Sequence, residues 1–143
     1  MPYEYLEDSV TSDVTFRAWG RDLDELFTAA ADATTNLMVG ALESISPTVT
    51  KAAFVDAEAL DLLLLRFLEE LIFHKDAEGL ILRATDVRVE AANQGHQVHA
   101  QLCGEPIDPN KHELLADIKA VTLHGLRVEQ TDSGWRAEVT LDV

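Results

Sequence analysis

The sequence predicts an α+β fold, with two helices packed on one face of a mixed, largely antiparallel sheet. Three observations lead there. Two segments of the first half repeat apolar residues at steps of three and four, the second half alternates with period two, and short turn sequences separate its alternating runs at hairpin spacing. Helices followed by a run of strands favour α+β over a doubly wound fold, which needs more helices than this chain offers.

The elements follow in order. A short strand is expected over 14–18. Asp22 and Glu25 then form an N-cap and N3 pair, and Leu23, Leu26, Phe27, Ala30, Thr34, Leu37 and Met38 make the stripe of a first helix that Gly40 ends. The β-branched stretch 48–55 after Pro47 reads as a strand. Asp56 is placed to cap a second helix with the stripe Leu60, Leu63, Leu64, Phe67, Leu68, Leu71 and Ile72, ended by Gly79. Leu62 and Leu65 lie off that stripe, which predicts cover on more than one side. Each fully buried leucine contributes roughly 1.5–3 kcal/mol, so this helix should dominate the core. Strands follow over 80–90, 97–103, 117–130 and 135–143, with Asn93, Gln94 and Gly95 turning the first pair and 131–134 the last. In the final strand Trp135, Ala137, Val139, Leu141 and Val143 point one way, and Arg136, Glu138, Thr140 and Asp142 the other.

Length and composition bound the rest. The chain has 143 residues, 47% of them hydrophobic, and no linker or repeat, so one domain spanning 1–143 is expected. The start MPYEYLEDSV lacks the basic and apolar regions of a signal peptide, and no apolar run approaches the ~20 residues of a membrane helix. A single cysteine, Cys103, can close no intrachain disulfide and fits a reducing, cytoplasmic setting. The 26 acidic against 11 basic residues leave a formal charge of −15, which repels phosphate backbones. A basic protein or a cation is the expected partner, with no direct nucleic-acid binding and no membrane.

The common catalytic motifs are missing: no glycine-rich phosphate loop, no GxSxG and no HExxH occurs. His96 and His99 are spaced for opposite faces of a strand, which argues against a shared metal. His74 is expected to face the terminal carbonyls of the second helix, Cys103 to be a buried structural thiol, and Trp19 and Trp135 to pack in the core or at strand ends.

Two features carry chemistry. Asp13 precedes an apolar strand, and Asp142 lies one residue from the free α-carboxylate of Val143. If the first and last strands run together, Asp13, Asp142 and Val143 make a hard oxygen site for a divalent cation, calcium first, with magnesium or manganese as alternatives. The plainer reading is two solvated acids in an acidic chain. The second feature is the loop GEPIDPNKHELLAD over 104–117, longer than a hairpin needs, which sets Lys111 beside His112 and is followed by Lys119. Ordinary surface cations are the alternative there.

At these residues the sequence resembles the archease family, the small acidic partners of the RtcB-type RNA ligase. The resemblance rests on YEYLE (3–7), SDVTFRAWG (12–20), the long leucine helix, EGL (78–80), GEPID followed by KH, IKAVTLHGLRV (118–128) and the ending TLDV. It covers nearly the whole chain. It implies an archease-like fold and a protein that is not itself an enzyme. Such a protein promotes guanylylation of the ligase by GTP, and so its repeated turnover in tRNA splicing or RNA repair. It further implies a metal role for Asp13 and Asp142, and an activating lysine that is Lys111 or Lys119, with Lys111 preferred. The sequence departs from the family where a His-Thr-Ala-Asp run precedes a glycine: Val10, Thr11, Ser12 and Asp13 stand there, followed by Val14. The histidine is lost at position 10, and Glu7 and Asp8 are candidates to compensate. Rival readings are an acidic adaptor or chaperone-like module without a metal, and a small metal-dependent hydrolase, for which no nucleophile or phosphate cradle is evident.

Overall fold

Alternating apolar residues give a strand one face to bury, and among the described residues seven strands share two helices. The computed structural model describes residues 1–6 and 12–143. Its order is β1 (Tyr3–Leu6), β2 (Asp13–Gly20), α1 (Leu23–Met38), β3 (Val49–Ala57), α2 (Leu60–Glu78), β4 (Leu80–Ala92), β5 (Gly95–Pro106), β6 (Ala120–Thr131) and β7 (Gly134–Asp142), with a 3₁₀ turn at Leu42–Ser44. The α+β class holds and every strand pair is antiparallel, but the strands divide into two sheets where the pattern pointed to one. Their orders are β1-β2-β7-β6 and β3-β5-β4.

The helix α1 starts as its sequence dictates, with the Asp22 carboxylate accepting from the Glu25 N–H at 2.9 Å. It stops at Met38, with Val39 as its C-cap, ahead of the expected Gly40. Burial extends well beyond the predicted stripe: Ala29, Ala31, Ala33 and Thr35 are buried alongside Leu26, Phe27 and Ala30. The helix packs against β2 and β7 of one sheet and β4 of the other, and alanines on its remaining sides allow that close approach. Thr35 is accommodated because its hydroxyl donates to the Leu82 carbonyl at 2.8 Å.

The helix α2 buries Leu63, Leu64, Phe67, Leu68, Leu71 and Ile72, as its stripe predicts. Its N-cap is Ala59, with no side-chain cap; Asp56 lies in β3 opposite Gln97. The strand simply continues through the aspartate. Gly79 closes the helix in the left-handed region, φ 65°, a conformation glycine adopts without steric cost. Leu65 packs against the core, whereas Leu62 is exposed, so cover extends to only one of the two off-stripe leucines.

Two strands are interrupted. The register of β4 shifts between Thr85 and Arg88, and that of β6 between Thr122 and Arg127, where Gly125 takes φ 67° and Leu123 is left exposed. The terminal β7 behaves as read: Ala137, Val139 and Leu141 are fully buried. No helix among the described residues is long and apolar enough to cross a membrane.

Candidate functional site

The strands β2 and β7 run side by side along their whole length. In the β2–β7 ladder Asp13 stands directly opposite Asp142, and the pairs Thr15/Thr140 and Arg17/Glu138 continue the same face inward from them. Thr15 and Thr140 share a hydrogen bond of 2.8 Å, and Arg17 reaches Glu138 at 3.2 Å. The ladder is therefore polar and satisfied up to its last rung, where two carboxylates face one another. Among the described residues neither has an ion-pair partner. Like charges directly opposite in a sheet are destabilising, so this rung costs stability until something neutralises it.

The main chain tightens the same corner. The Val143 N–H donates to the Ser12 carbonyl at 3.0 Å, and the Lys119 N–H donates to the Asp142 carbonyl at 2.7 Å. Asp13, Asp142, Val143 and Lys119 are thus brought together. The Lys119 side chain is exposed and, among the described residues, unpaired. The donor set available to a cation is all hard oxygen, which fits calcium, magnesium or manganese and not a softer metal. Among the described residues no group of three or more His, Cys, Asp or Glu side chains converges on a metal position, so the aspartates would need further oxygens from Val143, water or a partner. Glu7, Asp8 and Val10 lie outside the described residues.

Lys111 and His112 sit in a separate network at the same end of the molecule. The loop after Pro106 turns about Asp108, whose carbonyl accepts from the N–H groups of Lys111 (3.0 Å) and His112 (2.7 Å) and whose carboxylate accepts from the Asn110 N–H (2.9 Å). This turn directs both side chains back to Glu105. Lys111 Nζ bonds Glu105 Oε1 at 2.9 Å and the Ser46 hydroxyl at 2.7 Å. The His112 ring is buried; its Nδ1 accepts from the Asp108 N–H at 2.9 Å, which leaves Nε2–H to donate to Glu105 Oε2 at 2.9 Å. Lys111, the Ser46 N–H and His112 together hold the Glu105 carboxyl down at about 2, against its usual 4.5. Glu105 and Ser46 are the residues that sequence reasoning missed here. Glu105 stood inside the quoted GEPID motif, while Ser46 carried no signal.

Both helix C-termini clamp the loop in place. The Met38 and Leu37 carbonyls of α1 accept from the N–H groups of Leu115 (2.9 Å) and Ala116 (3.1 Å), and Gly40 N–H donates to the Glu113 carbonyl at 2.9 Å. From α2, Lys75 Nζ reaches Asp117 Oδ1 at 2.6 Å and the Ile118 carbonyl at 2.7 Å. Burial works to lower the Lys75 pKa, and its bonds to Asp117 and Asp76 outweigh that and raise it. The segment between the Lys111 network and the Asp142 corner is therefore pinned at both ends.

The other singled-out residues take different places. His74 pairs through Nδ1 with the Glu78 carboxylate, one helical turn on, and not with the terminal carbonyls. Cys103 is half-exposed between Thr50 and Thr85, not buried. Trp19 and Trp135 do stand at strand ends, as expected, in β2 and β7, where Trp19 is 39% exposed and both line a groove at the far end of the molecule.

Comparison with known proteins places this arrangement in a family. The archease protein family model matches residues 3–143. The chain is 35% identical over 134 residues to protein archease of Thermococcus kodakarensis, covering 93% of this chain and 94% of that one. It is 33% identical to protein archease of Methanopyrus kandleri over the full length of both. The solution structure of Methanobacterium thermoautotrophicum protein 1598 superposes with a TM-score of 0.84 at 29% identity, covering 99% of each chain. A Thermotoga maritima archease described as a possible chaperone shares the fold, with a TM-score of 0.65 at 17% identity over 98% of this chain and 99% of that one. The chain belongs to the archease family.

Proposed function

We propose that this protein is an activator of an RtcB-type RNA ligase, acting through the corner where Asp13 and Asp142 meet. It promotes the guanylylation of the ligase by GTP, and with it repeated turnover in tRNA splicing or RNA repair. The observation that carries this reading is the carboxylate pair closing the β2–β7 ladder, without an ion-pair partner among the described residues, set beside the pinned loop that bears Lys119 and Lys111. Evenly spread surface acids would not concentrate charge where it weakens a sheet. A site that accepts this cost is one that receives a cation when it works.

Asp13 and Asp142 would hold a divalent ion, with a Val143 main-chain oxygen supplying a further ligand. Such an ion neutralises phosphate charge when it is shared with a triphosphate. Lys119, whose side chain is exposed, is placed to meet a phosphate oxygen on the partner. Lys111 is committed to Glu105 and Ser46, and its first role is to hold the loop in shape. The protein contributes charge and position, and the bond-making belongs to the ligase. A net charge of −15 favours approach to the basic RNA cleft expected of such a ligase.

The test is product formed per ligase molecule, with the cognate ligase, GTP and a cleaved RNA, as this protein is added. The wild type should carry the ligase through many turnovers, and Asp13→Asn with Asp142→Asn should leave it near one. Full stimulation by that folded double variant would replace this reading with the acidic adaptor.

A further inference from the structure

At the opposite end of β2, six residues and about 20 Å of strand rise from Asp13, the fold opens into a groove. It has a volume of about 770 Å³, within the range of ligand sites, and its walls include Trp19, Trp135, Arg21, Asp24, Asp32 and Arg136. These are the only tryptophans in the chain. The groove shares no residue with the Asp13/Asp142 corner or the lysine loop.

The charges lining it are not equally available. Arg21 is bound to Glu25, with Nη2 to Oε2 at 2.7 Å, and Arg136 is bound to Glu129 at 2.7 Å. Both guanidinium groups are already matched. Of the carboxylates that α1 brings to the groove, Glu25 is taken up by Arg21, and Asp24 and Asp32 are only half used. Asp24 Oδ1 accepts from the Val89 N–H at 2.8 Å, and Asp32 Oδ1 faces Arg83 at 3.3 and 3.4 Å; the second oxygen of each has no hydrogen-bond partner among the described residues. Asp24 and Asp32 stand two turns apart, at i and i+8 with Thr28 between, so one helix face presents both to the groove. Burial raises the Asp32 pKa, and Arg83 offsets this only in part.

Indoles beside under-used carboxylates select for positive charge. A cation gains both the ring quadrupole and the carboxylate oxygens. An anion would meet matched arginines in a chain of charge −15, and a neutral ring would cover the carboxylates without bonding them. We propose that this groove binds an organic cation, an alkylammonium or guanidinium group, against Trp19 and Trp135 with Asp24 and Asp32 as counter-ions. A free polyamine and the side chain of a lysine or arginine present the same group.

Because both indoles line the groove, intrinsic fluorescence reads it directly. The full chain is titrated with spermidine, with a blocked Lys-Arg dipeptide and with uncharged 1-pentanol. Spermidine or the dipeptide should shift the emission saturably, pentanol should not, and whichever cation binds more tightly identifies the source. Asp32→Asn should weaken binding about tenfold and Trp19→Leu, read from Trp135, about fivefold. The exposed control Glu69→Gln should leave it unchanged. No response to either cation, equal response to pentanol, or equal weakening by Glu69→Gln, which would mean diffuse attraction to an acidic surface, overturns the proposal. Thermal melts of each variant separate lost binding from lost folding.

Discussion

Replacing Asp142 by asparagine should stabilise the cation-free protein and destabilise the protein loaded with a cation, reversing the order of the two chains. Asp13 and Asp142 are direct cross-strand partners, which sets their Cβ atoms about 4.5–5.5 Å apart. At that separation like charges on a half-exposed rung repel by about 0.5–1 kcal/mol. Removing one charge should therefore raise the melting temperature in chelator by about 2–4 °C, and less at high salt. Calcium at about one hundred times its dissociation constant adds ~2.7 kcal/mol to whichever chain binds it, about 10 °C for a domain of this size. The wild type should gain that increment and Asp142→Asn should lose most of it. The assay is calorimetric or circular-dichroism melting of both chains in chelator and in calcium, at low and high salt. A variant that melts below the wild type in chelator, or a calcium shift equal in the two chains, would refute the reasoning.

Other perturbations separate the parts of the site. Lys119→Ala should reduce ligase activation with no change in melting temperature, whereas Lys111→Ala should loosen the loop, seen as faster amide exchange between 108 and 118. The depressed pKa of Glu105 gives a pH window: the unfolded carboxyl binds its proton more readily than the folded one, so the stability it contributes is complete above 4.5 and is lost as pH falls from 4.5 toward about 2. Glu105→Gln should flatten the stability curve across that window, and an unchanged curve would mean the network is not held by its charge. In the core, Phe67→Ala removes a fully buried ring and should cost about 3–5 kcal/mol by denaturant titration. Gly104→Ala should be similarly disruptive, since an added Cβ would lie 1.8 Å from the Ile81 carbonyl oxygen on the neighbouring strand.

What the sequence made legible follows from local physics. The α1 start was readable because Asp22 and Glu25 act within one turn, and the α2 stripe because nineteen residues sample its period many times. Period two shows which face of a strand is buried but not which strand lies beside it, so the division into two sheets was out of reach. The four-residue β1 is too short to show a period. Asp56 misled as a cap because its strand continues to Ala57, which no local signal marks. At the site, the meeting of Asp13 and Asp142 was a conditional expectation, and it became a fact once β2 paired with β7 in that register. The Glu105 hub was hidden because it depends on a turn folding Lys111 and His112 back by six and seven residues. The groove was hidden because Trp19 and Trp135 gain meaning only through α1, which brings Asp24 and Asp32 alongside.

Service of the partner ligase by the carboxylate pair, beyond merely marking a weak rung, is the central proposal to test. Its most direct measure is the initial rate at which labelled GTP modifies the cognate ligase, at fixed divalent ion, with equal amounts of wild type or of the folded Asp13→Asn, Asp142→Asn double variant. The rate should rise with the wild type and stay at the level of ligase alone with the variant. Equal acceleration by both chains would contradict the account.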